Sequence, residues 1–373
     1  MNEMKKRVFL IGFGIFSGII VIEICLRLFK NETTLKFYDN PVFGSALVPN
    51  QEGLFVSETK EYSSKVKVNS QGWPDIEHNL AKPKDIYRML ILGDSFVENF
   101  QVPLEKRFFR QLQDKLGNKF EIIAMGRGNT GTGPQYLTLK NYGLKYKPDL
   151  VIHMFYEAND VKNNSSSMQN DPFLPYFKID AFDNLVELPH SQRSLRKLAA
   201  SKEFLTNFRV IKLILKVRQN MMENREKLKS GYPIDYHIYD KDYSEEYTKS
   251  WEVTKKLILR TKMEVENSGS RYIFIAIPGS EQIQKNVQET IIKFYPRFSL
   301  DNIDFEKPDQ ILKAFCEKEK IECYFMLSSF KEYMNLKSQS QLYYFYDGHW
   351  NETGTNLAAK FLYENLANYL TIK

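Results

Sequence analysis

Apolar residues recur along this chain in three rhythms, and each predicts a different kind of structure. From Val8 to Ile22 no residue is charged, and Ile24 to Phe29 carries the run past Glu23 and Arg27 to about the length of a bilayer span. Apolar residues cover every face of a helix drawn through this run, where a helix buried on one side would show only a stripe. The pattern predicts a membrane-spanning helix over 8–29, on which Glu23 and Arg27 are four apart and able to pair near the interface. Residues 30–85 are polar and turn-rich. Within them Phe55–Val68 alternates, which predicts edge strands or a hairpin.

From Arg88 onward the rhythm changes again. Met89–Leu92 is a continuous apolar run ending at Gly93, as a buried parallel strand would be. Leu104–Leu116 has helical periodicity and stops at Gly117, Glu121–Met125 is a second strand, Gln135–Lys145 a second helix and Leu150–Tyr156 a third strand. Tyr272–Ile277 and Glu322–Met326 follow as strands four and five, each after a helical stretch, and Asn351–Tyr369 closes the series as a helix. Strands alternating with helices predict an α/β domain, a parallel sheet with helices on both faces. Between strands three and four lies an insertion, about residues 161–268, predicted to be mostly helical. Its segment Arg193–Lys229 holds eleven Lys or Arg against three Glu, which fits a solvated helical face or a lid touching a membrane or an anionic substrate.

Composition narrows the classes. With 43% hydrophobic and 14% aromatic residues among 373, the chain can build a large core and is not of disordered type. A net charge of +6 without a basic stripe among aromatics gives no nucleic-acid module. Lys5, Lys6 and Arg7 precede the apolar run as in a signal sequence. No small-x-small cleavage site follows it, and Ile24 before Cys25 does not suit a lipoprotein signal, so the reading is an uncleaved signal anchor. Arg27, Lys30 and Lys36 partly offset the leading basic cluster, and the positive-inside rule favours a catalytic domain outside the cytoplasm. Cys316 and Cys323 lack the further ligands of a zinc site; a disulfide and two free thiols both stay open.

Four loops at predicted strand ends carry candidate chemistry. Gly93-Asp94-Ser95-Phe96 places a serine at a tight strand-to-helix turn, with its hydroxyl exposed and its N–H available to an oxyanion. Gly126-Arg127-Gly128-Asn129-Thr130-Gly131-Thr132-Gly133 lets backbone approach a ligand, but it lacks the Gly-Lys-Ser/Thr of a phosphate loop and the spacing of a dinucleotide fingerprint. Tyr156-Glu157-Ala158-Asn159-Asp160 offers the Asn159 amide as a further donor. In Tyr346-Asp347-Gly348-His349-Trp350, Asp347 and His349 sit at i and i+2 of an extended loop, facing one side. Asp347 can then hold Nδ1–H and leave Nε2 free for a hydroxyl. Of the other histidines, His153 falls inside a predicted buried strand and reads as a core residue, and His78, His190 and His237 have no organised neighbours. The four loops fall at one edge of the predicted sheet, where open α/β sheets bind ligands.

In this order the four blocks resemble the SGNH/GDSL hydrolase superfamily: Gly93-Asp94-Ser95, Gly131 within the glycine loop, Asn159-Asp160, and Asp347 with His349. The lead-in Asn69-Ser70-Gln71-Gly72-Trp73 is similar to that of membrane-anchored bacterial members. Two positions depart from the pattern. Glu157 stands where the third block usually has Gly, and only Gly348 separates Asp347 from His349, a spacing similar to that of polysaccharide O-acetyltransferase relatives. The resemblance implies a three-layer flavodoxin-like fold and ester substrates, with no metal and no organic cofactor. It also implies a catalytic triad Ser95, His349, Asp347 and an oxyanion hole of Ser95, Gly131 and Asn159, with Asp94 and Asp160 bracing the loops. The expected division is a tail 1–7, an anchor 8–29, a β-rich lead-in 30–85 and a hydrolase domain 86–373. The expected activity is ester hydrolysis at the cell envelope, on a lipid or an acylated glycan. An O-acyltransferase of an envelope polysaccharide and a non-catalytic binding module are the alternatives.

Overall fold

The computed structural model describes residues 3–28, 33–40, 42–169, 171, 174–188, 208–211, 213, 214, 217, 218, 221, 231–337, 339–366 and 369. The chain divides into two compact units: residues 1–32 with 191–230, and residues 33–190 with 231–373. In the first unit, helix α1 (Glu3–Leu28) runs 26 residues. By length and composition it can cross a membrane, and its apolar window is not buried against protein. Arg27 Nε donates to Glu23 Oε1 at 2.8 Å, the pair expected from their spacing. Most of the basic segment Arg193–Lys229 lies outside the described residues.

The second unit opens with two antiparallel hairpins, β1 (Phe37–Asn40) with β2 (Gly44–Leu47), and β3 (Glu52–Val56) with β4 (Ser63–Lys67). The alternation at Phe55–Val68 thus forms part of a hairpin. There follow β5 (Tyr87–Gly93), the single turn α2 (Ser95–Glu98), α3 (Phe108–Leu116), β6 (Phe120–Gly126), α4 (Thr132–Asn141) and β7 (Leu150–Tyr156). Short helices α5 (Asp160–Asn163) and α6 (Ser166–Gln169) lead to a small hairpin, β8 (Phe177–Ile179) with β9 (Leu185–Glu187). Then come α7 (Glu245–Asn267), β10 (Arg271–Ile277), α8 (Ser280–Ile283), α9 (Lys285–Phe294), α10 (Lys307–Lys318), β11 (Cys323–Phe325), α11 (Met326–Leu336) and α12 (Glu352–Asn365).

Five of these strands form one parallel sheet in the order β11-β10-β7-β5-β6. Numbered among themselves they run 2-1-3-4-5, the flavodoxin-like order. Because strand side chains alternate, the apolar runs divide between two cores. Leu90, Leu92, Ile123, Met125, Val151 and Phe274 face one side and pack with Trp251, Ile258 and Val265 of α7 and Leu312 and Phe315 of α10. Met89, Ile91, Ile122, Ile152, Met154 and Ile275 face the other and pack with Phe108, Phe109 and Leu112 of α3, Phe330 of α11 and Ala358 and Leu362 of α12. The result is three layers.

Two expectations change here. Helix α7, placed at the end of the 161–268 insertion from sequence, buries Trp251, Ile258 and Val265 in the sheet's own core. It is the crossover between β7 and β10, because a parallel pair needs one. Met326, expected in strand five, opens α11 instead. Cys316, near the end of α10, and Cys323, the first residue of β11, are joined in a disulfide.

Candidate active site

The order of the sheet reverses between β5 and β7, so the loops after these strands diverge and leave a crevice at their C-terminal ends. Ser95 follows β5 there. Strands β5 and β6 end side by side, Gly93 opposite Gly126. A side-chain carbon on Gly126 would collide with the backbone of Val97 and Glu98, so glycine lets α2 lie across the strand end. Asp94 caps this turn, accepting from Phe96 N at 2.9 Å. Ser95 therefore stands at the first position of α2, where a helix leaves N–H groups unpaired.

His349 and Asp347 lie on the loop between α11 and α12, closed by an antiparallel bridge of Tyr343 with Trp350 and by Tyr344 N donating to His349 O at 2.8 Å. Gly348 takes φ +79°, a left-handed conformation that favours glycine. His349 Nε2 is 2.7 Å from Ser95 Oγ, and His349 Nδ1 is 2.6 Å from Asp347 Oδ1. The Phe96 ring packs on the imidazole with centroids 4.9 Å apart. Burial alone would lower the His349 pKa. The hydrogen bond and charge of Asp347, with Asp94 and Glu98 farther off, outweigh it and hold His349 above its ordinary value. Burial likewise opposes ionisation of Asp347, but His349 and Tyr62 keep its pKa below the usual range.

The turn after β7 brings Asn159 to the same crevice. Its Oδ1 is buried without a hydrogen-bond partner among the described residues, and its side chain also hydrogen-bonds Asp94. Asp160 braces this turn: it accepts from Tyr156 N at 3.1 Å and from Gln135 Nε2 at 3.2 Å. Gln135 Oε1 faces His153 Nε2 at 2.8 Å, and Tyr272 Oη lies 2.7 Å from His153 Nδ1. Since Gln135 Oε1 only accepts, Nε2 carries the proton and Nδ1 accepts from Tyr272. Burial pushes the His153 pKa to about 3, a neutral core histidine as expected.

Gly131, expected to offer its N–H to the oxyanion, stands at the N-cap of α4. A side chain there would meet Asn164 Oδ1 at 2.7 Å and Asp160 O at 2.9 Å, so this glycine serves the packing of α4 on the neighbouring turn. The glycine beside Ser95 is Gly128, whose Cβ position is 3.7 Å from Ser95 Cβ. Its N–H donates to Glu98 Oε2 at 3.1 Å. Burial raises the Glu98 pKa to about 7 against the opposing effects of Arg127 and the Gly128 N–H. Four glycines within eight residues gave no local signal of which one would lie there.

Sequence reasoning also missed the lead-in hairpin's part in the site. Tyr62 Oη donates to Asp347 Oδ2 at 3.1 Å, and Glu61 accepts from Asp347 N at 2.7 Å and Tyr346 N at 3.1 Å. His78, without organised neighbours in the sequence, lies between Glu121 Oε1 at 2.8 Å and Asp75 Oδ2 at 3.1 Å, away from the crevice.

The crevice holds about 600 Å³ and is walled by Tyr156, Tyr236, Val287, Ile291, Phe294, Tyr295, Phe345 and Tyr346, with Asn129, Asp235, Ser280 and Glu281 as polar members. No described Lys or Arg lines it. Among the described residues no cluster of His, Cys, Asp and Glu could hold a metal ion.

No family model and no curated protein matches the sequence. Among solved structures the chain is similar to an acetyl xylan esterase (11% identity, 75% of this chain and 99% of that chain, TM-score 0.41). It is also similar to a member of the lipolytic protein G-D-S-L family from Veillonella parvula (11%, 75% and 98%, TM-score 0.39) and to a carbohydrate acetylesterase from Sinorhizobium meliloti (13%, 76% and 99%, TM-score 0.37). Likenesses this remote decide neither reaction nor substrate; the chemistry follows from the residues at the crevice.

Proposed function

We propose that this chain is a serine-dependent ester hydrolase of the SGNH type, working through an acyl-serine intermediate at the cell envelope. The observation that carries the reading is the hydrogen-bonded row Ser95–His349–Asp347 opening into a crevice at the sheet's switch point. His349 Nε2 takes the Ser95 proton as Oγ attacks the ester carbonyl, and the developing oxyanion is held by Ser95 N–H and the Asn159 amide. Asp347 fixes Nδ1–H and stabilises the imidazolium, which then protonates the leaving alcohol. Water, deprotonated by His349, releases the acid and restores the serine.

The lining bears on substrate. Carboxyl groups without a lysine or arginine disfavour an anionic group inside the crevice, whereas aromatic and aliphatic walls suit an uncharged acyl or alcohol part. The envelope location is supported by an N-terminal helix able to span a membrane and by the Cys316–Cys323 disulfide, which belongs to an oxidising compartment. The test uses the full chain in detergent. A fluorophosphonate should label the wild type and leave Ser95→Ala unlabelled, while a panel of short- and long-chain neutral esters should be hydrolysed only by the wild type. Labelling that survives Ser95→Ala would remove the nucleophile assignment.

A further inference from the structure

Glu157 departs from the usual glycine of its block, and its side chain is buried, not turned to solvent: Glu157 is 1% exposed and Asp309, in the first turn of α10, is also 1% exposed. Each carboxyl group lies close enough to the other to act on its ionisation. Donors for them are few. Glu157 Oε2 accepts from Gln282 Nε2 at 3.0 Å, and the same Nε2 also donates to Phe305 O at 2.8 Å, while Gln282 Oε1 is taken by Gly279 N at 2.6 Å. Glu157 Oε1, Asp309 Oδ1 and Asp309 Oδ2 are buried without a donor among the described residues.

Charge is equally short. Lys313, one turn along α10, is 4.0 Å from Asp309 Oδ1, with its side chain half in solvent. Lys331 of α11 is committed to Glu306 at 2.7 Å. The remaining neighbours are the phenols of Tyr239, Tyr243 and Tyr343, which burial keeps protonated. One lysine at that distance does not stabilise two bare neighbouring carboxylates in a buried site.

We infer that Glu157 and Asp309 share a single proton, carried on Glu157 and donated to Asp309, and that this pair holds the turn presenting Asn159. Asp309 is the member that keeps the charge, because it sits in the first turn of a 12-residue helix and has Lys313 beside it. Burial, followed by the Asp309 charge, raises the Glu157 pKa well above its ordinary value. Burial also raises Asp309, to about 6, with Lys313 opposing. The backbone completes the clamp: Glu157 N donates to Ile277 O at 3.1 Å, so the turn is tied to β10 by its main chain and to α10 by this proton. Glu157 is therefore a positioning residue for Asn159, two places on.

The sign of the pH effect follows. A carboxyl whose folded pKa is raised binds more protons folded than unfolded, so folding loses stability as pH rises from about 4.5 toward the folded value. Glu157→Gln replaces the shared O–H by an N–H that donates to Asp309 at every pH. The experiment is thermal unfolding of the full chain in detergent, from about pH 5 to about pH 9, for wild type, Glu157→Gln, Glu157→Ala and Asp309→Asn. The gap in Tm between Glu157→Gln and wild type should widen in favour of Gln by on the order of 3 °C across that range, and Glu157→Ala should lie below both throughout. An infrared difference spectrum, wild type minus Glu157→Gln at neutral pH, should show one protonated carboxyl band. Parallel Tm curves, a missing band, or a Glu157→Gln chain that does not fold would each overturn the shared proton. The effect on Asn159 rests on the esterase reading and has its own readout: ester kcat should fall about tenfold in Glu157→Ala and recover in Glu157→Gln, with KM little moved. Loss of that pattern with the Tm and infrared results intact would overturn the positioning role alone.

Discussion

Tyr62 Oη donates to Asp347 Oδ2 at 3.1 Å across 285 positions of chain. The carboxylate that orients His349 is thus itself oriented from the β3–β4 hairpin, a segment outside the layered α/β domain. Asp347 Oδ1 points to His349 while Oδ2 is fixed by Tyr62, so the carboxyl group cannot rotate without losing one of them. Tyr62→Phe keeps the ring, which packs on Tyr344 with centroids 4.7 Å apart, and removes only this donor. We expect kcat/KM on a neutral aryl ester to fall about tenfold, equivalent to about 1.4 kcal/mol of transition-state stabilisation. A variant as active as wild type would show that Glu61 and the loop backbone suffice.

The pH profile should carry the mark of the same pair. A general base must be neutral, and His349 is held above its ordinary value of 6.5 by Asp347 once burial is overcome. Activity should be lost as pH falls, with the acid limb of kcat/KM above about 6.5. Asp347→Asn should move that limb downward and reduce kcat by on the order of 10⁴. A limb that stays in place in the variant would mean that some other group titrates.

Asn159 offers a separate handle on the oxyanion. Its replacement by Ala removes one donor and should lower kcat by about 10²–10³, with fluorophosphonate labelling slower yet still complete. Turnover within a factor of about two of wild type would show that the amide serves Asp94 only.

The disulfide yields a stability prediction. Cys316 and Cys323 are 7 apart in sequence, and in the chain-entropy view closing so short a loop contributes about 2–3 kcal/mol. Cys316→Ser with Cys323→Ser should lower the unfolding free energy by about that amount, read by denaturant titration under oxidising conditions. The same chemistry bears on topology: protease added to intact spheroplasts should digest the residues that follow helix α1. Full protection until lysis would place the catalytic unit inside.

What could be seen in the sequence was whatever local pattern encodes. The runs at Met89–Leu92 and Leu150–Tyr156 announced strands buried on both faces, and alternation within them, Leu90 and Leu92 against Met89 and Ile91, sorted the two cores. Ser95 and Asn159 stood out because each breaks an apolar rhythm at a strand end, and Asp347 with His349 because they sit at i and i+2 of one loop. Choices among equivalents were hidden. Nothing local distinguishes Gly128, beside Ser95, from Gly131, packed on Asp160. Nothing at Tyr62 or Glu61 signals a partner so distant in the chain. Helix α7 was absorbed into the insertion because its core-facing Trp251, Ile258 and Val265 acquire meaning only once β10 lies beneath them.

The sheet order has a consequence for how the molecule is made. Strands β5, β6 and β7 lie within residues 87–156, whereas β10, which covers the other edge of β7, begins at Arg271. Ser95 and His349 are separated by 254 residues, and at about 5–20 residues per second a ribosome needs roughly 10–50 s to travel between them. For that interval a nascent chain holds a three-stranded fragment with the open backbone of β7 exposed, the kind of edge that recruits stray strands. An unfinished molecule carries Ser95 without His349, so under the proposed mechanism it cannot yet act on an ester. Its hazard during synthesis is therefore aggregation and not premature hydrolysis, and holdase chaperones should engage translating ribosomes most strongly in the stretch between β7 and β10.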